Sequence, residues 1–422
     1  MKLVEDLRWR DSIAQSTDIE ALTTEMEKGP ISLYLGFDPT APSLHIGNLV
    51  ALVVLKRFQL AGHRPIPLVG GATGLVGDPS GRNQERTLNE VEVVAAWVER
   101  IKAQLSGFLD FEGGSNKAVM ANNLDWTAQL SAIHFLRDVG KHFSVNQMLA
   151  RDSVASRLES GGISYTEFSY QVMQAYDFLE LYRRLGCTLQ IGGSDQWGNI
   201  VAGVDLIRRV EGKAVHALTI PLLTKADGSK FGKTAGGSIW LDPEMTSPYA
   251  FYQFFLNSDD RDVITLLKTF SFKSHDELSA LFGEHQANPG ARSAHRALAH
   301  EVTSYIHGEE TARKVEEASR ALFGQSEIRE LDRETLLSAI AELPHVEIAA
   351  GEELSLIDAI TGASLVDSKS AARRIIKEGG AYLNNIKVSD EALVIKASDL
   401  LHGAVALIRK GKRDLMAVVK KA

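Results

Sequence analysis

Apolar residues in the first 246 positions fall into short runs separated by longer stretches with a helical repeat. The short runs predict strands, and the longer stretches predict helices between them. Such alternation is typical of βαβ units and a mainly parallel sheet, so the sequence favours an α/β fold. The predicted strands are 31–36, 64–69, 117–121, 188–191 and 214–219, and the predicted helices are 44–61, 91–109, 126–138, 152–160, 166–185 and 196–210.

Parallel sheets bind their ligands at the carboxyl ends of the strands. Three segments that carry glycine or polar residues follow predicted strands: the segment 36–48, the loop 70–81 and the pair Gly192-Gly193. We therefore expect these segments to lie along one rim of the sheet.

The pattern changes after residue 246. Residues 247–325 show helical periodicity with no strand signal, which predicts a helical domain. Residues 326–351 are mixed, contain Pro344 and predict a linker. From residue 352 the pattern restarts with helices at 354–361 and 368–378, followed by short strands. The last two strands, 405–409 and 415–419, predict a hairpin around Lys410-Gly411-Lys412.

Composition narrows the class of protein. A chain of 422 residues with 44% hydrophobic and 24% charged residues is long enough for two or three globular domains. No apolar run approaches the ~18 residues of a membrane span, and the charged N-terminus lacks a secretory signal pattern. Cys187 is the single cysteine, which excludes a disulfide framework or a cysteine metal site. We expect a cytoplasmic protein, with no membrane partner and with Cys187 in the core.

Charge is distributed unevenly. Residues 352–422 carry 12 Lys and Arg against 9 Asp and Glu, a net charge of +3. The other 351 residues carry 34 and 45, a net charge of −11. A basic C-terminal segment in an otherwise acidic chain indicates contact with a polyanion. The alternative is a solvated surface that happens to be basic.

Two lysines, Lys230 and Lys233, lie close together in a segment rich in glycine. The segment is similar to a phosphate-binding P-loop, but that motif has four residues between its glycines, whereas three separate Gly228 from Gly232. The remaining interpretation is a flexible loop whose ammonium groups approach the phosphates of a nucleotide. Two lysines in an exposed loop can also be merely solvated.

Polar residues also share faces of two predicted helices. His45 and Asn48 lie three apart in the first turn of a helix, whose positive end favours phosphate. Gly47 leaves room for a flat base, and Thr40 offers a hydroxyl nearby. The alternative is that Ser43 caps the helix and His45 is a surface residue.

A second helix carries Tyr170, Gln174 and Asp177 at spacings of four and three residues. A phenol, an amide and a carboxylate on one face need partners if they are buried. A small polar ligand would supply those partners, and a solvated helix face is the alternative.

Four motifs together resemble the bacterial tyrosyl-tRNA synthetase family. They are Tyr34-x-Gly36-Phe37-Asp38-Pro39-Thr40, His45-Ile46-Gly47-Asn48, Gly192-Gly193-Ser194-Asp195-Gln196 and Lys230-Phe231-Gly232-Lys233-Thr234. The resemblance covers essentially the whole chain, and residues 352–422 resemble the S4-type RNA-binding domain of these enzymes. The first signature departs from the family at Asn48, where the family has His. The second reads Lys-Phe-Gly-Lys-Thr for a nominal Lys-Met-Ser-Lys-Ser.

The resemblance implies a class I aminoacyl-tRNA synthetase, an ATP-dependent ligase of protein biosynthesis. Its fold would be a Rossmann-like catalytic domain at 1–246, then the helical domain, the linker and a small α+β S4-like domain at 352–422. L-Tyrosine would react with ATP to form tyrosyl-adenylate, and the tyrosyl group would pass to the terminal adenosine of tRNA(Tyr). Mg²⁺ would arrive with ATP, with no metal site of the protein's own. Family members are homodimers.

The resemblance also implies residue roles. Tyrosine would be bound by Tyr34, Asp78, Tyr170, Gln174, Asp177 and Gln196. ATP or the adenylate would be bound by Gly36, Asp38, Gly47, Gly193, Asp195, Lys233 and Thr234. The catalytic residues, which act on the phosphates, would be Thr40, His45, Asn48, Lys230 and Lys233. RNA would be bound by Lys369, Arg373, Arg374, Lys377, Lys410 and Lys412. The alternatives are a tryptophan-specific relative and a catalytically silent RNA-binding relative.

Overall fold

A computed structural model describes residues 2–80, 88–151, 154–155, 157–158, 161–234, 237–323, 327–341, 343–349, 351–363, 365–411 and 414–421. The chain divides into two compact units. The first comprises Met1–Met245 and Asp259–Ala294, and the second comprises Thr246–Ser258 and His295–Ala422. The predicted helical domain at 247–325 is thus shared between the two units. The predicted domain bounds stay a proposal.

The first unit is built on a six-stranded sheet with the order β1-β6-β5-β2-β3-β4. Its pairs are parallel except for β1, which runs antiparallel to β6. This arrangement confirms the predicted α/β fold with a mainly parallel sheet. The strands are β1 (Gln15–Ser16), β2 (Ser32–Phe37), β3 (Arg64–Val69), β4 (Ala121–Asn122), β5 (Cys187–Gly193) and β6 (His216–Ile220).

Helices connect the strands of this sheet and carry local signals at their ends. Ser164 caps the longest helix by accepting the N–H of Glu167, and Gly186 ends it at a positive φ of 62°. The helices of the first unit are Leu3–Trp9, Ile19–Lys28, Ile46–Leu60, Thr73–Val76, Val91–Phe108, Leu124–Thr127, Ala132–His134, Val145–Leu149, Tyr165–Leu185, Trp197–Glu211, Val263–Phe270 and His275–Ala287. Two short strands, β7 (Lys233–Thr234) and β8 (Gly237–Ser238), form a separate antiparallel pair.

Two predicted elements of this unit differ in the structure. The strand predicted at 117–121 is reduced to β4, because Pro65 and Pro67 of β3 have no N–H to donate toward that edge. The helix predicted at 126–138 is broken, and Ser131 starts a new turn by accepting the N–H of His134. The helix predicted at 152–160 lies largely outside the described residues. Cys187 is fully buried, as expected.

The second unit ends in a five-stranded sheet with the order β12-β11-β14-β15-β9. The predicted hairpin is confirmed, since β14 and β15 pair antiparallel. The strands are β9 (His345–Ile348), β10 (Leu354–Ser355), β11 (Ala381–Leu383), β12 (Ile386–Val388), β13 (Val394–Ile395), β14 (Val405–Lys410) and β15 (Asp414–Lys420), with β10 and β13 paired separately. The helices are Pro248–Leu256, Ser293–His307 from His295 on, Glu309–Leu322, Arg333–Ile340, Leu356–Gly362 and Lys369–Lys377.

The segment 326–351, which the sequence predicts as a linker, has regular local structure. The segment contains the helix Arg333–Ile340, which Asp332 caps by accepting the N–H of Thr335. It also contains β9, which pairs parallel with β15 and buries Ile348. Elements this short give no clear periodicity, and β9 forms only because a strand 70 residues later lies beside it. Within the described part of the chain, no helix combines the length and apolarity needed to cross a membrane.

Candidate active site

The carboxyl ends of β2, β3 and β5 lie side by side, because these strands are parallel neighbours in register. The segment after β2 begins at Asp38, the loop after β3 begins at Gly70, and β5 leads into Ser194–Gln196. Gly70 donates its N–H to Phe37 at 3.0 Å, which joins the first two segments. The predicted rim is therefore confirmed.

Tyr34 of β2 places a phenol in the interior beneath this rim. Its side chain is 1% exposed, and its hydroxyl has no hydrogen-bond partner among the described residues. Burial raises the pKa of Tyr34 well above 10, and the nearby Asp177 raises it further, so the phenol stays neutral. The Oε1 atom of Gln174 is likewise buried, with no partner in the part of the chain that the structure describes. Buried polar atoms of this kind are typical of a site that a ligand completes.

Asp177 is the buried carboxyl group next to Tyr34. It is 3% exposed, and it accepts hydrogen bonds from Trp126 Nε1 at 2.8 Å and Asn123 Nδ2 at 2.9 Å. Burial raises the pKa of Asp177 to about 7, while the two donors act in the opposite direction. The carboxyl is thus held in a fixed orientation close to its titration point at neutral pH.

A chain of hydrogen bonds joins Asp177 to the rim. Asn123 Nδ2 also donates to Thr73 Oγ1 at 2.9 Å, and Thr73 donates to Asp38 Oδ1 at 2.6 Å. The Tyr170 hydroxyl donates to Asp38 Oδ2 at 2.6 Å. The structure therefore brings Asp38, Tyr170 and Asp177 together, in agreement with the shared helix face predicted for the last two.

Asp78 and Gln196 form a second polar pair at the rim. Gln196 Nε2 donates to Asp78 Oδ2 at 2.6 Å, and the N–H of Ser80 donates to Oδ1 at 2.9 Å. Asn199 Nδ2 donates to Gln196 Oε1 at 3.2 Å and so fixes which end of that amide faces Asp78. Asp78 is buried, which makes it a preformed acceptor for a cationic group.

Residues 223–234 form the lysine hairpin, which carries Lys230 and Lys233. Thr224 and Lys230 face each other in an antiparallel bridge, and Phe231 donates its N–H to Leu223 at 3.1 Å. The tip is a turn in which Gly228 donates to Lys225 at 2.8 Å. Both lysine side chains are exposed.

The lysine hairpin and the segment 239–241 that follows it lie against the start of the helix Ile46–Leu60. Ile46 donates its N–H to Ile239 at 3.0 Å, and Leu241 donates to Leu44 at 2.9 Å. A Cβ on Gly232 would lie 3.5 Å from Ile46 side-chain atoms. The two signatures, about 185 residues apart in sequence, are therefore held next to each other.

His45 is the N-cap residue of that helix, and Asn48 accepts its backbone N–H at 3.1 Å. Burial lowers the pKa of His45 below 6.5, and the charge of Lys233 lowers it further, so the imidazole is neutral at pH 7. Gly47 has a local reason to be glycine, since a Cβ there would lie 2.8 Å from the His45 ring. Ser43 does not cap the helix. It binds Gln104 and Asp242 instead, so the alternative in which Ser43 is the cap is wrong.

The remaining predicted nucleotide residues surround an open part of the rim. Gly36 is exposed, with nothing within 4 Å of where its Cβ would be, and Thr40 is exposed after Asp38. A Cβ on Gly193 would lie 2.5 Å from Asp195 Oδ1. Burial raises the pKa of Asp195, with Asp78 adding to the effect and Lys230 opposing it. The side chain of Thr234 is outside what the structure describes.

Sequence reasoning missed Thr73, Asn123 and Trp126. These residues do not form a helical or strand pattern with the residues they hold, and Asn123 contacts Asp177 across 54 positions. Asn123 directly follows β4. A polar residue at the carboxyl end of a strand was therefore the one feature of the sequence that could have indicated its role in the site.

The predicted RNA-binding residues lie in the second unit, where Arg373, Arg374 and Lys377 are exposed on the helix Lys369–Lys377. Lys369 pairs with Asp358 at 2.6 Å, and Lys410 pairs with Asp414 at 3.1 Å. Lys412 lies outside the described residues.

Comparison with known proteins shows the family of this chain. Residues 26–324 match the family model for class I tRNA synthetases of the tryptophan and tyrosine group, and residues 336–418 match the model for the SYY-like C-terminal domain of tyrosine–tRNA ligases. The tyrosine–tRNA ligase of Streptomyces avermitilis is 60% identical over 99% of this chain and 98% of its own length. The tyrosine–tRNA ligase of Mycobacterium bovis is 55% identical over 99% of this chain and 98% of its own length.

A solved structure supports the same relationship. The C-terminally truncated mitochondrial tyrosyl-tRNA synthetase of Aspergillus nidulans matches with a TM-score of 0.70 and 32% identity, over 76% of this chain and 94% of that one. This chain belongs to the class I tRNA synthetases of the tryptophan and tyrosine group, and within them to the tyrosine–tRNA ligase family.

Proposed function

We propose that this protein activates L-tyrosine with ATP and transfers the tyrosyl group to tRNA(Tyr), using the rim of the first unit's sheet. The observation that carries the assignment of the amino acid is the buried hydroxyl of Tyr34, which has no partner among the residues that the structure describes and lies beside the oriented carboxyl of Asp177. The substrate phenol pairs with both groups. Phenylalanine would leave the Tyr34 hydroxyl without a partner and would offer no further donor to Asp177, which keeps its bonds from Asn123 and Trp126. Leaving a buried polar group unpaired costs roughly 1–3 kcal/mol.

The amino and carboxylate groups of tyrosine lie toward the rim. Asp78, Tyr170 and Gln174 receive the ammonium group, and Gln196 lies near the carboxylate. Support comes from the buried Asp78 and from Oε1 of Gln174, which has no partner in the described part of the chain. The substrate carboxylate is itself the nucleophile that attacks the α-phosphate, so the protein's contribution is to position the reactants and stabilise charge.

The nucleotide occupies the open side of the rim. Gly36, whose backbone is exposed, and Asp38 lie beside the adenylate, and Gly193 with Asp195 faces the ribose. The flat base is expected against Gly47. Thr234 also belongs to this set.

Thr40, neutral His45 and the two lysines donate to the phosphates, with Asn48 fixing the helix end from which His45 projects. Mg²⁺ enters as part of the substrate and is held chiefly by phosphate oxygens.

Transfer to RNA uses the second unit as well. An exposed basic helix face meets the phosphate backbone through Arg373, Arg374 and Lys377. We include Lys369, Lys410 and Lys412 in the same RNA contact. We place the protein in the cytoplasm, where tRNA charging serves translation.

The homodimer is the expected assembly. The segment 124–149 exposes several large apolar side chains, which suits a surface buried by a second copy. These are Leu124, Ile133, Leu136, Val145 and Leu149, with Ile133 as much as 70% exposed. Light scattering of the purified chain tests this, and a mass near 46 kDa at micromolar concentration would contradict it.

Exchange of labelled pyrophosphate into ATP tests the proposed reaction, with tyrosine, phenylalanine and tryptophan supplied separately. Tyrosine should support exchange at far lower concentration than the other two. Preference for tryptophan would move the protein to the tryptophan-specific branch, and exchange with none of the three would indicate a catalytically silent relative.

A further inference from the structure

Asp262 occupies an unusual position relative to its own helix. It is the N-cap residue of Val263–Phe270, where an aspartate ordinarily accepts an N–H of the first turn. Its side chain makes no such bond here. Instead Asp262 Oδ1 accepts the N–H of Ala226 at 2.8 Å, and the side chain is 9% exposed. A buried carboxylate has thus been directed away from its own helix toward another segment.

That segment is the tip of the lysine hairpin. Ala226 is the second residue of the turn closed by the bond from Gly228 to Lys225, and its N–H takes no part in that bond. Phe231, on the returning arm, places its ring 6.1 Å from that of Phe270 at the other end of the same helix. The hairpin therefore rests on both ends of Val263–Phe270.

The helix Val263–Phe270 is itself fixed to the helix that carries His45. Arg57, near the end of Ile46–Leu60, donates to the Ser271 carbonyl at 2.5 Å, and Arg10 donates to the same oxygen at 2.9 Å. Both arginines are buried. A change at Asp262 would accordingly release the tip of the hairpin, while the helix that supports it stays in place.

Gly232, which precedes Lys233, lies against Ile46 at the start of the helix after His45, since a Cβ on Gly232 would be 3.5 Å from Ile46 side-chain atoms. Lys233 is close enough to lower the pKa of His45, and Lys230 is close enough to act on that of Asp195. We propose that Asp262 is a positioning residue, which holds the lysine hairpin in the orientation where Lys230 and Lys233 reach the phosphates of ATP. This inference rests on the proposed role of those two lysines.

The test measures steady-state pyrophosphate exchange as a function of ATP, together with the tyrosine Kd and the Tm of each variant. Asp262→Ala removes the acceptor. We expect kcat/KM for ATP to fall about tenfold or more, as for loss of a hydrogen bond to a charged group, with tyrosine Kd unchanged. Asp262→Asn keeps an oxygen acceptor and should restore most of the activity. Asp276→Ala, at an exposed aspartate of the next helix, is the matched control and should behave as wild type.

A second variant approaches the same bond from its other partner. Ala226→Pro removes only the donor, at a turn position that proline favours. It should lower kcat/KM for ATP in the same way, and the double variant with Asp262→Ala should lose no more than the more impaired single variant. Should Asp262→Ala fail to fold, the comparison of Ala226→Pro with wild type decides the question.

Wild-type ATP kinetics in Asp262→Ala and Ala226→Pro would overturn the proposal. So would losses of tyrosine affinity and Tm that run parallel to the loss of ATP kinetics, since they would indicate a merely structural role. Lys233→Ala separates the two hypotheses. If Lys233→Ala is unimpaired, the proposed role of the lysines fails. If it is impaired while the two anchor variants are not, only the positioning role of Asp262 fails.

Discussion

Replacing Tyr34 by phenylalanine should strengthen the ligand-free fold while weakening tyrosine binding. The hydroxyl is buried with no partner among the described residues, so the folded chain bears the desolvation of that group without a compensating bond. Removing an orphaned polar group of this kind recovers about 1–3 kcal/mol. The same hydroxyl is proposed to bind the substrate phenol, so its loss should raise the tyrosine Kd about tenfold.

Tyr170 provides the matched control, since it is also a buried tyrosine but its hydroxyl donates to Asp38 at 2.6 Å. Tyr170→Phe leaves that carboxylate short of a donor and should lower the free energy of unfolding by about 1–3 kcal/mol. Urea denaturation without ligand measures both variants, and calorimetry measures tyrosine binding. We expect the free energy of unfolding to rise for Tyr34→Phe and to fall for Tyr170→Phe. If Tyr34→Phe destabilises as much as Tyr170→Phe, or binds tyrosine as tightly as wild type, the reasoning is refuted.

Three further predictions follow from the site. Lys233→Ala should slow single-turnover adenylate formation by about two orders of magnitude, with tyrosine Kd nearly unchanged, because it removes charge stabilisation at the phosphates; an unchanged rate would exclude that role. Arg373→Glu with Arg374→Glu should raise the KM for tRNA and spare pyrophosphate exchange, and intact charging would remove these residues from the RNA contact. The raised pKa of Asp177, about 7 against an ordinary 3.8, should make the ligand-free fold lose stability as pH rises through 7. That contribution is fully present below pH 3.8, and Asp177→Asn should flatten this part of the stability profile; an identical profile would show that Asp177 does not titrate there.

Periodicity was sufficient for the parts of the fold with long, regular elements. The strands at 31–36 and 64–69 and the helix at 91–109 were predicted within a residue or two of β2, β3 and Val91–Phe108. It failed where pairing depends on distant residues. The strand β9 has no local pattern of its own and forms because β15 lies beside it.

The candidate site could likewise be predicted only where its residues share one regular element. Tyr170 and Asp177 share a helix face, so spacing alone brought them together. Asn123 and Trp126, which orient Asp177, reach it from a different segment and belong to no repeat. The role of Asp262 is not evident from the sequence for another reason. An aspartate before a helix predicts an N-cap, whereas Asp262 accepts the N–H of Ala226 instead.

We propose that a buried phenol and carboxyl select a hydroxyl-bearing aromatic amino acid for activation by ATP. The most direct test of this selection is the exchange of labelled pyrophosphate into ATP by wild type and Tyr34→Phe, with tyrosine and with phenylalanine. Wild type should strongly prefer tyrosine, and the variant should lose a large part of that preference. Equal preference in the two proteins, or no exchange with tyrosine at all, would contradict the account.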